Sequence, residues 1–307
     1  MITVTGGHGF LGSYVVEKLR ARGHRVFVPI HSLYDLRDPK HVEAMFDAVR
    51  PDKVIHLAAS CGGIGANQKN SGKFFYDNIL MGVNLMEAAR LNGVSKFVQV
   101  GTVCSYPKYC PVPFKEEDIW DGYPEITNAP YGIAKRALLT MAQAYREQYN
   151  FNAVYLIPTN LYGPRDNFDP ETSHVIPALI RKFVDAKRRG LKEIEVWGSG
   201  TVTREFLYVE DAADAIVAAT EKYDSGAPVN IGSGYEIEIK GLVAVIAEIV
   251  GFEGTVRFDT SKPDGQPRRR LDCMWARKAF GWVSRTPLGE GLRKTVGWYL
   301  EEDSNAS

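Results

Sequence analysis

From Met1 onward the chain repeats one arrangement: a short apolar run, then a stretch whose apolar positions recur every three or four residues. Met1–Thr5, Arg25–Pro29, Lys53–Ala58, Lys96–Gly101 and Ala153–Pro158 are predicted strands. Phe10–Arg22, His41–Val49, Phe74–Leu91 and Tyr131–Tyr149 have helical spacing. Strands that alternate with helices imply βαβ units and a parallel sheet covered on both faces.

After Pro158 the pattern loosens. Helices are predicted near Val175–Arg189 and over Asp211–Lys222, Lys240–Val250 and Leu288–Glu301. Short strands are predicted at Ile194–Trp197, Arg204–Val209 and Pro228–Ile231. The break implies two lobes: residues 1–159 with 204–232, and a smaller, discontinuous lobe of 160–203 with 233–307.

Composition narrows the function. The 37 basic and 37 acidic residues cancel, which argues against a nucleic-acid or anionic-membrane surface, so an anionic ligand must be met by local charge and backbone N–H groups. No run approaches the roughly 20 apolar residues of a membrane span, and Met1 leads into a strand without a basic leader, so a cytoplasmic protein is expected. Cys61, Cys104, Cys110 and Cys273 form no CxxC pair or His/Cys metal spacing. They are read as reduced thiols with no metal; a Cys104–Cys110 disulfide is the alternative.

Thr5-Gly6-Gly7-His8-Gly9-Phe10-Leu11-Gly12 joins the first predicted strand to the first helix. Glycines permit the tight turn and bring N–H groups against a pyrophosphate, and the helix start adds its positive dipole end. Inside a βαβ unit this is a dinucleotide site rather than a packing turn, with Gly6, Gly9, Phe10, Leu11 and Gly12 facing the cofactor. The expected fold class is α/β, a Rossmann-like doubly wound parallel sheet with a smaller α/β substrate-binding lobe. An acid ending the second strand would accept from a ribose 2′-hydroxyl and repel a 2′-phosphate. Pro29-Ile30-His31-Ser32 holds no acid, which favours NADP (as NADPH) over NAD, and no arginine either. His31 either touches that phosphate or is an ordinary loop histidine; Asp35-Leu36 falls beside the adenine.

Tyr131-Gly132-Ile133-Ala134-Lys135 opens a predicted helix, and its i, i+4 spacing puts phenol and ammonium on one face. A free phenol ionises at about pH 10. A nearby ammonium and a nicotinamide cation are expected to lower that value, so that Tyr131 can pass a proton to a ketone oxygen as hydride reaches the carbon. Thr102 follows the fourth predicted strand, at the end where such sheets bind ligands, and can hydrogen-bond the same oxygen. The alternative is a surface Tyr–Lys pair.

With TGGHGFLG, His56–Ala59 (HLAA) and Thr102 before YGIAK, essentially the whole chain resembles the extended short-chain dehydrogenases/reductases acting on nucleotide sugars. Gly62–Asn67 (GGIGAN), Cys104–Lys108 (CSYPK), Pro158–Pro164 (PTNLYGP), Ser173–Pro177 (SHVIP), Trp197–Gly200 (WGSG) and Arg204–Phe206 (REF) narrow the resemblance to the GDP-L-fucose synthase family. That resemblance implies inversion of C3 and C5 of GDP-4-keto-6-deoxy-D-mannose followed by reduction at C4. Each inversion needs proton-transfer groups on opposite faces of the sugar. By resemblance Cys104 is the base and His174 the opposing acid, residue types that titrate near neutrality. The alternatives are a buried core cysteine and a helix-capping histidine.

The resemblance also implies that Lys135, Ala58, Pro158 and Asn160 contact the cofactor. It places Asn160, His174, Val175, Lys182, Trp197, Arg204 and Lys262 at the GDP-sugar, with Arg204 clamping the diphosphate. Trp197 as ordinary core is the alternative, and Arg268–Arg270 reads equally as a phosphate contact or a solvated run. A homodimer built on two long helices per subunit is a further implication. The chain departs from the family pattern at His8 and His31, where arginines are expected, and at Thr102 in place of Ser. Two rivals stand: a C4 reductase or epimerase alone, on another GDP-sugar such as a 6-deoxyheptose, and a non-catalytic nucleotide-binding regulator on the same fold.

Overall fold

The computed structural model describes residues 1–262 and 264–305. Its first half runs β1 (Ile2–Thr5), α1 (Phe10–Ala21), β2 (Val26–Phe27), α2 (Pro39–Val49), β3 (Lys53–His56), α3 (Ile64–Lys69), α4 (Ser71–Leu91), β4 (Lys96–Val100), α5 (Ala129–Tyr149) and β5 (Ala153–Pro158). There follow β6 (Asn160–Tyr162), α6 (Val175–Arg188), β7 (Glu193–Trp197), β8 (Thr203–Tyr208), α7 (Val209–Lys222) and β9 (Val229–Ile231). The chain ends with β10 (Glu236–Glu238), α8 (Ile239–Val250), β11 (Thr255–Asp259), α9 (Met274–Phe280) and α10 (Leu288–Asn305).

The main sheet is parallel and six-stranded, in the order β2-β1-β3-β4-β5-β9. Its apolar runs are buried along their whole length in β1, β4 and β5, as a sheet covered on both faces requires. Strand β2 is shorter than the sequence predicts: it is an edge strand, and Pro29 has no N–H with which to continue the ladder. Helix α2 starts earlier than predicted because Asp38 accepts from the Lys40 N–H and Pro39 occupies the first turn.

Strand β8 pairs with β6 in parallel and with β10 antiparallel, and β7 pairs with β11, so these short strands form two small sheets outside the main one. Their core gathers Ile180 and Phe183 of α6, Leu242 and Ile246 of α8, and Leu292 of α10. Helix α7 then returns to pack beside α1, and β9 closes the main sheet next to β5. Asp211, in the first turn of α7, ties down the chain before α10. Its carboxylate accepts from Ser284 Oγ (2.9 Å), the Arg285 N–H (2.9 Å) and the Thr286 N–H (2.8 Å).

Candidate active site

The chain leaves β1 on one side for β2 and returns on the other as β3, and such a switch point opens a crevice at the carboxyl ends of the strands. A cleft of about 2110 Å³ runs from the Gly6–Gly12 turn past the ends of β4 and β5 to α6 and β7. Every residue singled out above as a cofactor, catalytic or substrate candidate lines it. Arg268 and Arg270 do not.

At the cofactor end, Gly12 lies so close to the turn that a Cβ there would stand 2.0 Å from the Gly6 carbonyl oxygen. Gly9 caps α1 without a side-chain bond and no acid occupies the first turn, leaving the helix N–H groups for an anion. Asp35 is gripped by Arg37, with Nε 2.9 Å from Oδ1 and Nη2 2.6 Å from Oδ2; those bonds hold its carboxyl far below the usual range. Arg37 also reaches Asp77 of α4 at 3.2 Å, where Lys73 binds too. Arg37, in the loop before α2, and Lys73, at the start of α4, lie outside the Pro29–Ser32 strand end, and their local sequence carries no signal that brings them to the cofactor end.

At the centre, Gly132 lets α5 pass against the turn after β4: a Cβ there would sit 2.3 Å from the Cys104 carbonyl oxygen. Tyr131 is thereby held beside the Thr102–Cys104 turn, in which Thr102 Oγ1 accepts from the Cys104 N–H at 3.2 Å. Lys135 is buried, donates from Nζ to the Val100 carbonyl at 3.2 Å, and is pushed down to about 8 by desolvation. The Tyr131 phenol is pushed well above its usual value, first by burial and then by Cys61 and Cys104, with a Thr102 hydrogen bond opposing. These are the effects of the protein's own groups on Tyr131; the lowering expected from Lys135 together with a nicotinamide cation belongs to the cofactor-bound site.

His174 precedes α6 as its N-cap residue but its side chain makes no capping bond, which removes the capping alternative. The imidazole opens to the cleft while its walls crowd it, and that burial, then Arg269, lowers its pKa. Cys104 is half-buried rather than sealed in the core, and all four cysteines are free thiols; Cys110 lies beside Asp118. The Cys104 sulfur accepts from Arg269 Nη1 at 3.7 Å. In the sequence Arg269 is one of three consecutive arginines that read equally as a phosphate contact or a solvated run. The structure splits that run: Arg268 pairs with Glu236 on the surface, whereas Arg269 turns inward and is only 6% exposed.

At the far end Trp197 is 63% exposed on the cleft, so it is not core, and Lys262 Nζ stands 5.2 Å from its ring centroid. Lys182 Nζ donates to the Glu195 carbonyl at 2.8 Å. Arg204 is held by the Thr203 and Asp264 carbonyls, and burial, then Arg269, lowers its pKa. Arg204 and Arg269 thus stand as two neighbouring guanidiniums in the cleft.

The parallel sheet, the glycine turn and the Tyr131–Lys135 pair define a dinucleotide-dependent enzyme class, and residues 2–232 match the NAD dependent epimerase/dehydratase family. The chain is 43% identical over 302 residues to the probable GDP-L-fucose synthase 1 of Oryza sativa subsp. japonica, a match covering 98% of this chain and 92% of the relative. Among solved structures, a GDP-6-OMe-4-keto-L-xylo-heptose reductase from Campylobacter jejuni superposes with a TM-score of 0.91 at 29% identity, covering 98% of this chain and 97% of the other. A GDP-L-fucose synthetase from Naegleria fowleri bound to NADP gives 0.89 at 31%, covering 99% and 94%. The chain belongs to the NAD dependent epimerase/dehydratase family and, within it, to the GDP-L-fucose synthases.

Proposed function

We propose that this protein inverts C3 and C5 of a GDP-4-keto-6-deoxy-sugar and then reduces C4 with NADPH, giving GDP-L-fucose or a close analogue. The observation that carries the reading is the meeting of Cys104, His174, Tyr131 and Thr102 in one cleft beside a dinucleotide turn. A C4 ketone acidifies the protons on C3 and C5. Cys104 removes such a proton as thiolate, the electron pair moves onto the C4 oxygen, and Tyr131 and Thr102 hydrogen-bond that oxygen. His174 returns a proton from the opposite face. The negative charge of a diphosphate offsets Arg204 and Arg269 and raises the proton affinity of His174. In the last step Tyr131 gives its proton to the C4 oxygen.

NADPH fits the residues present: the free N–H groups at the start of α1 suit the pyrophosphate, and Arg37 and Lys73, paired with Asp35 and Asp77, stand as donors near the adenosine end. When bound, it supplies the hydride to C4. The missing acid in Pro29–Ser32 supports NADP over NAD, as does the relative bound to NADP. Arg204, Lys182, Val175, Trp197 and Lys262 would hold the GDP moiety, and Asn160 would span the two ligands. In this reading 1–159 with 204–232 is the cofactor domain and 160–203 with 233–307 the sugar-nucleotide lobe, with β8 at the seam. Two chains pair through α4 and α5 as a homodimer, which sedimentation would reveal. A cytoplasmic location is part of the same proposal; no helix among the described residues is long and apolar enough to cross a membrane.

Cys104→Ser and His174→Asn each test the roles. Both variants are expected to lose deuterium uptake at C3 and C5 while still oxidising NADPH with a substrate already inverted at both centres. Normal exchange in both would refute the assignment. The superposition on the Campylobacter jejuni reductase favours a second reading, reduction alone; NADPH oxidation by the unmodified enzyme with no exchange would establish it.

A further inference from the structure

We propose that Arg269 is the counter-ion of the Cys104 thiolate, a positioning residue for the proton-abstracting base. The inference rests on the reading of Cys104 given above and adds what stabilises its ionised sulfur in this cleft.

A desolvated charge has to be paired or hydrogen-bonded to persist in a folded protein. Arg269 is 6% exposed, and among the described residues no carboxylate forms an ion pair with it. Its acceptors are Gln266 Oε1 (3.1 Å from Nε), Asn160 Oδ1 (3.2 Å from Nη1) and the Cys104 sulfur (3.7 Å from Nη1). The first two are neutral amides. Only the sulfur can become an anion.

The guanidinium is also built into place. Gln266 donates to the Pro107 and Lys108 carbonyls at 3.0 and 3.1 Å, on the strap that follows Cys104 itself. Asn160 Nδ2 donates to the Glu205 carbonyl at 2.8 Å, and the Leu271 N–H to Glu205 Oε2 at 2.7 Å. Arg269 is thus fixed between the two segments that carry Cys104 and Asn160, with little freedom to leave the sulfur. The other titratable or charged groups that interact with Cys104 are Cys61 from the loop after β3, Tyr131 from α5 and Arg204 from β8. Cys61 and Tyr131 bring no positive charge, and Arg204 is turned to the Thr203 and Asp264 carbonyls. The cation touching the sulfur is Arg269.

In the step this supports, the sulfur takes a proton from carbon, the C–H electron pair moves to the C4 oxygen, and no oxidant or further reactant is involved. Arg269 keeps the sulfur ionised beforehand.

The test is the rate of Cys104 alkylation by iodoacetamide in the full-length protein between pH 5.5 and 9.5, read on the Cys104 peptide by mass spectrometry. Arg269→Met is expected to slow alkylation below the inflection about tenfold, moving the inflection up by about one pH unit; Arg269→Lys, which keeps the charge, stays within about threefold of the parent. If circular dichroism shows the Met variant unfolded, Arg269→Gln is read in the same way. Superimposable rate–pH curves for the parent and the uncharged variant would overturn the proposal, and a raised KM with unchanged kcat for C3/C5 exchange would then mark Arg269 as a diphosphate ligand only. Failure of the catalytic reading itself shows separately, as normal exchange by Cys104→Ser.

Discussion

Replacing Gly12 by alanine sets two effects of opposite sign against each other. Gly12 lies inside α1, where alanine is favoured over glycine by about 0.5–1 kcal/mol. The added methyl would stand 2.0 Å from the Gly6 oxygen, 2.7 Å from the Gly6 carbonyl carbon and 2.7 Å from Gly7 Cα, all of them backbone atoms that cannot rotate away. Ordinary contact begins near 3.4 Å, so helix and turn must separate by about 1.4 Å. Overpacking of this kind costs about 1–3 kcal/mol, and here the steric effect wins. The separation also moves the N–H groups of the turn; loss of one or two charge-assisted hydrogen bonds weakens NADPH binding tenfold or more, about 1.4 kcal/mol at least. Gly297→Ala is the control, because a Cβ there meets nothing within 4 Å, and it should stabilise by about 0.5–1 kcal/mol. Urea unfolding and a fluorescence titration with NADPH measure both effects. A Gly12→Ala protein as stable as the parent, with unchanged NADPH affinity, would refute the close-approach argument.

Two predictions concern buried acids. Burial pushes the Asp166 carboxyl up to about 7 from 3.8, and its Oδ2 has no hydrogen-bond partner. The folded state therefore binds this proton more tightly than the unfolded chain, and stability falls by up to about 4 kcal/mol as pH rises from about 4 through 7. Asp166→Asn should lack that decline and exceed the parent in unfolding free energy at pH 8; equal pH dependence in the two proteins would contradict this. Asp211→Ala strips the partners from Ser284 and from the Arg285 and Thr286 N–H groups, and should cost about 3 kcal/mol in urea unfolding without changing the affinity for NADPH.

The main sheet was legible because its strands are short, largely apolar runs and its helices keep their period over many turns; β1, β4, β5 and the long helices fall close to where the pattern puts them. The second lobe was less so. Strand β6 has three residues and β10 three, too short for a period to show, and both exist through pairing with β8. Strand β11 did carry a signal, Val256 and Phe258 alternating with polar neighbours, which the general looseness of the region hid. In the cleft, residues inside contiguous motifs are legible, whereas Arg37, Asp77 and Cys61 are not, and Arg269 is legible only as one of three arginines that read equally as a phosphate contact or a solvated run. Each reaches the site from a loop or helix start whose local sequence says nothing about direction, and only the folded chain shows which member of a basic run turns inward. How far burial acts on the Tyr131 phenol is equally hidden from spacing, because desolvation depends on everything packed around it.

The central claim is that one cleft carries out both inversions and the reduction. Turnover of GDP-4-keto-6-deoxy-D-mannose with NADPH in D₂O, followed by NMR of the product, tests it directly. The account requires solvent deuterium at both C3 and C5 and none at C4, whose new hydrogen comes from NADPH. A reduced product carrying only protium at C3 and C5 would contradict it.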